Sequence, residues 1–207
     1  MLPILLSFEN KKVAVFGCGE VGKRRALKIL KNGGNVDIYS KNFDNEIKKI
    51  KNDRLKLINV DLNKLSDEEL REIIKDYDFI VAAVNEEINR RIVKIANELN
   101  KFVNASNLMS GVNFILPAYT EVNGVIFSIY TRGKSPMLAK KIRILVENII
   151  RDQDISFLSE FREFLKEIVP NQKDRKKVIE ELFNNKEFRE ELKKIVMRVL
   201  NDHSSKS

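Results

Sequence analysis

The stretch Val13-Ala14-Val15-Phe16-Gly17-Cys18-Gly19-Glu20-Val21-Gly22 constrains this chain more than any other. Its apolar run suits a short parallel strand buried on both faces. The spacing Gly17-x-Gly19-x-x-Gly22 then opens a helix, expected from about Val21 to Asn32 and stopped by Gly33-Gly34. In this setting each glycine has its own role. Gly17 permits a tight turn, Gly19 lets the backbone approach a pyrophosphate, and Gly22 lets the helix pack on the strand. The amides around Glu20 and Val21 fall at the helix N-terminus, where the dipole favours an anion. The pattern therefore predicts a dinucleotide-binding α/β domain. A ligand-free strand–helix turn could use the same glycines.

The following residues continue the alternation. Strands are expected at Val36–Ser40, Leu55–Val60, Phe79–Val84 and Phe102–Ala105. Ser66, with Glu69 three residues on, forms a capping box for a helix through Ile74. Ile88, Ile92, Ile95 and Leu99 share one face of the next helix. Strands separated by such helices imply right-handed crossovers and a Rossmann-type parallel sheet over residues 1–111.

After Asn107 the pattern changes. Asn113–Tyr119 and Val125–Tyr130 read as strands of a hairpin turning at Asn123-Gly124. Ser135-Pro136 begins a long helix, so residues 112–150 form a separate hairpin–helix segment. Residues 151–207 read as a small helical domain. Its stripe is Ile155, Leu158, Phe161, Leu165 and Ile168, broken by Pro170 and followed by helices around Val178–Phe183 and Phe188–Leu200.

Charge and cysteine usage narrow the partners. A net charge of +8, from 38 basic and 30 acidic side chains, fits a polyanionic ligand. The acids alternate with the bases and no helix-turn-helix signature appears, so nucleic acid is not expected. No apolar run approaches a membrane span. Leu2 to Phe8 has no basic region before it and no cleavage site after it, which makes the cytoplasm the expected location. With one cysteine, Cys18, and one histidine, His203, no His/Cys metal site can form, and Cys18 is expected to pack beneath the cofactor. The second strand ends Tyr39-Ser40-Lys41-Asn42, with Asp37 too early to read a ribose. Ser40 can hydrogen-bond a ribose hydroxyl and Lys41 could tolerate a 2′-phosphate, so NAD and NADP both remain open.

The chain resembles the precorrin-2 dehydrogenase family, including the dehydrogenase/ferrochelatase module of siroheme synthase. The resemblance is carried by Leu2-Pro3, by the glycine loop with Lys23-Arg24-Arg25, and by Ala82-Ala83-Val84-Asn85 with Asn89. It continues through Val103-Asn104-Ala105-Ser106-Asn107, Asn113-Phe114-Ile115-Leu116-Pro117-Ala118 and Thr131-Arg132-Gly133-Lys134-Ser135-Pro136. It implies NAD-dependent oxidation of precorrin-2 to sirohydrochlorin, on the route to siroheme or haem. It also implies a homodimer joined through residues 112–150. Cofactor contacts carry over to Glu20, Val21, Lys41 and Asn42, with Val84 and Asn85 beside them. The substrate bears many carboxylates, for which Arg132 and Lys134, with Thr131 and Ser135 in the same turn, are the implied contacts. One position departs from the family: Asn107 stands where it carries an aspartate central to activity. An amide is neither a general base nor an anionic ligand, which puts metal chelation in doubt. Asn107 could instead simply bond the loop before Gly111. The departure also leaves open a non-catalytic NAD(H)-binding regulator.

Overall fold

Five apolar runs become one parallel sheet: β1 (Lys12–Phe16), β2 (Asn35–Ser40), β3 (Leu55–Asn59), β4 (Phe79–Ala82) and β5 (Phe102–Ala105). Their order in space is β3-β2-β1-β4-β5. The computed structural model describes residues 2–108, 110–122, 124–133, 135–152 and 163–185, with isolated positions up to 194. These divide into two compact units, Met1–Pro117 and Ala118–Ser207.

In the first unit, alternation along each strand sends side chains to two separate cores. Val13, Val15, Val36, Ile38 and Val81 meet Ala26, Ile29 and Leu30 of α1 (Glu20–Lys31). Ala14, Phe16, Ile80, Ala82 and Val103 meet Leu70 and Ile74 of α3 (Asp67–Ile74) and Ile88 and Ile92 of α4 (Glu86–Glu98). A short α2 (Asn45–Lys48) follows β2. Both faces of the sheet are thus covered, as continuous apolar strands require. The predicted capping box is present, with Ser66 accepting from the Glu69 amide and Glu69 accepting from the Ser66 amide.

Two strand limits differ from expectation. β4 stops at Ala82 rather than Val84, because the Val84 amide leaves the ladder to donate to Asn89 Oδ1 at 3.0 Å. The segment from Asn113 to Pro117 is not hairpin strand. Asn113 Oδ1 instead accepts from the Val103 amide at 2.6 Å, and Asn104 Nδ2 donates to the Phe114 carbonyl at 2.9 Å. Side-chain amides thus tie these residues to β5, and the hairpin starts only after Pro117.

The second unit opens with the antiparallel pair β6 (Ala118–Val122) and β7 (Val125–Ile129), in which Val122 faces Val125. Asn123 of the turn lies outside the described residues; Gly124 has the positive φ of 74° that such a turn uses. α5 (Pro136–Asp152) begins where Ser135-Pro136 predicted, and Ser135 Oγ accepts from the Leu138 amide at 3.1 Å as its cap. Residues 163–168 are helical, and α6 (Gln172–Asn184) covers the expected Val178–Phe183 helix. Of the predicted stripe, Leu165 is buried but Ile168 is 57 % exposed, so the stripe does not persist to its end. Ile155, Leu158 and Phe161 lie outside the described residues, as does most of the helix expected at Phe188–Leu200.

Candidate functional site

Strand order reverses between β1 and β4, and the loops leaving those two strands meet there. In open α/β sheets such a switch point is where ligands bind. The Gly17 amide donates to the Tyr39 carbonyl at 2.8 Å, and the Ala83 amide donates to the Phe16 carbonyl at 2.8 Å. The first bond holds the start of the glycine loop against β2, and the second holds the start of the loop after β4 against β1.

The glycines divide into two kinds. A Cβ on Gly17, whose φ is +94°, would lie 2.4 Å from the Ala83 carbonyl oxygen. A Cβ on Gly22 would lie 2.0 Å from the Gly17 oxygen. Both are glycine because protein fills the space. Around Gly19 nothing lies within 4 Å, so no packing within the chain requires a glycine there. That open space adjoins the start of α1, where Gly19 is an N-cap with no side chain to bond the first-turn amides. The other three helices around this sheet are capped by side chains: Asp44 on α2, Ser66 on α3 and Asn85 on α4. An uncapped helix start facing an unfilled space suits a pyrophosphate. The residues present fit a dinucleotide.

Glu20 is exposed and Val21 half-buried in the first turn of α1. At the end of β2, Ser40 Oγ donates to the Asn42 carbonyl at 2.9 Å, shaping the turn. Lys41 Nζ is bonded to Asp61 Oδ2 at 3.2 Å, and the Asn63 side chain and Lys41 hold the Asp61 carboxyl below its ordinary range. Asp37, too early in β2 to read a ribose, accepts from the Tyr77 hydroxyl at 2.6 Å. Lys23 bonds both Asp44 and Glu46, linking α1 to α2; these bonds hold its ammonium charged well above the usual range. Cys18 packs against the α1-side core, and burial pushes its thiol up, so it is not activated as a thiolate.

After β4, Asn85 Oδ1 accepts from the Ile88 amide at 2.9 Å. After β5, Asn107 is exposed, and its Oδ1 accepts from Asn89 Nδ2 at 2.6 Å. Among the described residues no hydrogen bond joins Asn107 to the loop before Gly111, where the Gly111 carbonyl accepts from Asn97. The first unit thus brings the glycine loop, residues 40–42, Val84, Asn85 and Asn107 to the C-terminal edge of one sheet. The remaining expected residues belong to the second unit. There Thr131 Oγ1 donates to the Ser135 carbonyl at 3.1 Å and accepts from the Ser135 amide at 3.4 Å. Arg132 is exposed with a φ of 53°, and Lys134 lies outside the described residues.

Asn89, one of the residues that carry the resemblance, joins the site without having been among its expected residues. It is fully buried on α4, yet both ends of its amide reach the loops after β4 and β5. A polar residue amid the apolar stripe Ile88, Ile92 and Ile95 was the signal that could have found it.

Residues 4–118 match the protein family described as "Putative NAD(P)-binding", a span close to that of the first unit. Over 198 residues the chain is 67 % identical to a protein of Methanocaldococcus jannaschii named "Putative precorrin-2 dehydrogenase", covering 95 % of this chain and 96 % of that one. The chain belongs to the precorrin-2 dehydrogenase family. Precorrin-2 dehydrogenase of Methanosarcina barkeri is 28 % identical over 86 % of this chain and 80 % of its own length. The solved structure of SirC, precorrin-2 dehydrogenase, shares the fold, with a TM-score of 0.67 at 24 % identity over 91 % of this chain and 92 % of that one. These relatives carry the names of enzymes, which does not favour the regulatory alternative. Among the described residues no helix is long and apolar enough to cross a membrane.

Proposed function

We propose that this chain oxidises precorrin-2 to sirohydrochlorin with NAD, in the cytoplasm and as a homodimer. The observation that carries the cofactor half is the contrast among the glycines, with Gly19 alone leaving open space beside an uncapped helix start. Bound NAD supplies the acceptor for a hydride from the macrocycle, which also releases one proton. The protein supplies position and charge. First-turn amides of α1, around Glu20 and Val21, hold the pyrophosphate. Ser40 and Asn42 face the adenosine ribose, and Val84 and Asn85 bound the nicotinamide end.

NAD is favoured over NADP by the state of Lys41. Its charge is already met by Asp61, whose ionised carboxylate would repel a 2′-phosphate. In the second unit, the Thr131 and Ser135 hydroxyls maintain the turn and cap α5. Arg132 and Lys134 are therefore assigned the substrate carboxylates. Support for the homodimer comes from the apolar side chains that this unit leaves outside, including Phe127, Met137 and Leu145.

Asn107 carries no ionisable group, so metal insertion into the product is assigned a slow rate, and Asn107→Asp is expected to raise that rate at saturating sirohydrochlorin. The deciding experiment is incubation of the purified protein with precorrin-2 and either nucleotide, following the visible spectrum and nucleotide reduction. Conversion with NAD outpacing NADP is expected. No conversion with either would overturn the assignment.

A further inference from the structure

The buried amide of Asn89 fixes which end of Asn107 faces outward. The Val84 backbone N–H can only donate, so the Asn89 atom 3.0 Å from it is the oxygen. The other terminal atom of Asn89 is then the nitrogen, which can only donate. Its partner 2.6 Å away on Asn107 must accept, and is therefore Oδ1. Asn89 is 0 % exposed, and its nitrogen also lies 3.4 Å from Ser106 Oγ. Reversing the amide would set two donors face to face at Val84 in a buried site. What remains on exposed Asn107 is Nδ2, which has no hydrogen-bond partner among the described residues.

We propose that Asn107, locked by Asn89, presents an N–H donor that binds a carboxylate oxygen of the substrate, with Asn89 as its positioning residue. This rests on the functional reading above for the ligand, but the orientation of Asn107 does not. An aspartate at this position would keep the Asn89 bond with one oxygen and turn the other outward. The same lock would then display a charged acceptor in place of a neutral donor. The exchange reverses the polarity presented to a ligand while leaving the loop in place. A polyanionic substrate gains from the donor, because an N–H to a carboxylate is a charge-assisted bond.

Two variants and two ligands test this, with folding followed by circular dichroism. Sirohydrochlorin and NAD+ are titrated separately into the wild-type protein, Asn107→Asp and Asn89→Asp. Asn107→Asp should weaken sirohydrochlorin about tenfold or more, the scale of losing a charge-assisted bond to a like charge. In Asn89→Asp the Val84 amide keeps an acceptor, but the new carboxylate draws in Asn107 Nδ2 and turns Oδ1 outward. That variant should also lose sirohydrochlorin affinity while NAD+ affinity holds. Unchanged sirohydrochlorin binding in folded Asn107→Asp, or a loss confined to NAD+, would overturn the proposal.

The side-chain amide resonances of Asn107, assigned by their absence in Asn107→Asp, give a readout that needs no substrate. Protons exchanging with solvent as fast as those of a free asparagine amide in the wild type, and slower in Asn89→Asp, support the orientation. Protected protons in the wild type overturn it. If wild-type protein fails to bind sirohydrochlorin, the substrate assignment falls, and these resonances still decide the orientation.

Discussion

The two units solve the burial problem differently. In the first, β1 is buried from Val13 to Phe16 and β4 along its whole length, because helices cover both faces of the sheet. In the second, β7 buries none of its residues fully, and Ile126 and Phe127 remain 47 % and 39 % exposed. Met137 and Leu145 on α5 are exposed to 68 % and 61 %. A parallel sheet with helices on both sides closes its own core. A two-stranded ribbon has too few strands to do so by itself, and it leaves apolar side chains of β7 and α5 exposed. The unit that completes its own core is the one that carries the dinucleotide loop. The incomplete one carries the turn assigned to the substrate and the surface assigned to a second copy.

The same substitution in each unit gives the largest contrast. Gly22→Ala forces a Cβ to 2.0 Å from the Gly17 oxygen, and moving α1 off the sheet should destabilise the first unit by roughly 3 kcal/mol or more. Gly124→Ala meets nothing within 4 Å and should lose only about 1 kcal/mol, through its positive φ. Denaturant unfolding of both variants measures the difference, and equal losses would break the comparison.

Gly19→Asp separates stability from binding within the first unit. The side chain enters empty space and can cap α1, so stability should hold or rise by a few tenths of a kcal/mol. The carboxylate would lie where the pyrophosphate belongs, and NAD affinity should fall about a hundredfold or more by repulsion and overlap. Calorimetric titration alongside thermal melting checks both signs. NAD binding at wild-type strength would remove the assignment of this loop.

Phe127→Asp probes the open face of the second unit. A charge in the centre of a dimer contact should shift the protein toward monomer at micromolar concentration, measured by light scattering. Retention of a wild-type dimer would place the contact elsewhere.

The smallest effect concerns Lys28 on α1, whose Nζ donates to the Pro117 carbonyl at 2.6 Å. Burial, with Arg24 and Arg25 nearby, lowers its ammonium from 10.5 to about 8. Between those values the unfolded chain binds the extra proton, so this residue raises stability as pH climbs from about 8 toward 10.5. Below pH 8 the charge stays in place and opposes folding. Relative to Lys28→Met, the wild type should therefore gain stability across that window, by under about 1 kcal/mol because the amine is still partly solvated. Unfolding measured at pH 7 and pH 10 gives the sign.

Much of the first unit was legible because its signals are local. The spacing of Gly17, Gly19 and Gly22 after an apolar run, the Ser66–Glu69 box and the face of Ile88, Ile92 and Ile95 act within a few residues of one another. The start of α5 at Ser135-Pro136 is equally local. The family, too, could be recognised from short motifs in order.

Tertiary structure decided the pairings that join distant segments. Asn113–Pro117 has an apolar pattern that suits a strand, but side-chain amides from Asn113 and Asn104 fasten it to β5 instead. Lys41 looked free to meet a phosphate until the fold set Asp61 beside it. Asn107 appeared as a lost acid, and only the loops after β4 and β5 converging on buried Asn89 show which of its atoms is turned outward. Hydrogen-bond direction at an amide depends on partners that the chain supplies from 18 residues away, and no periodicity records it.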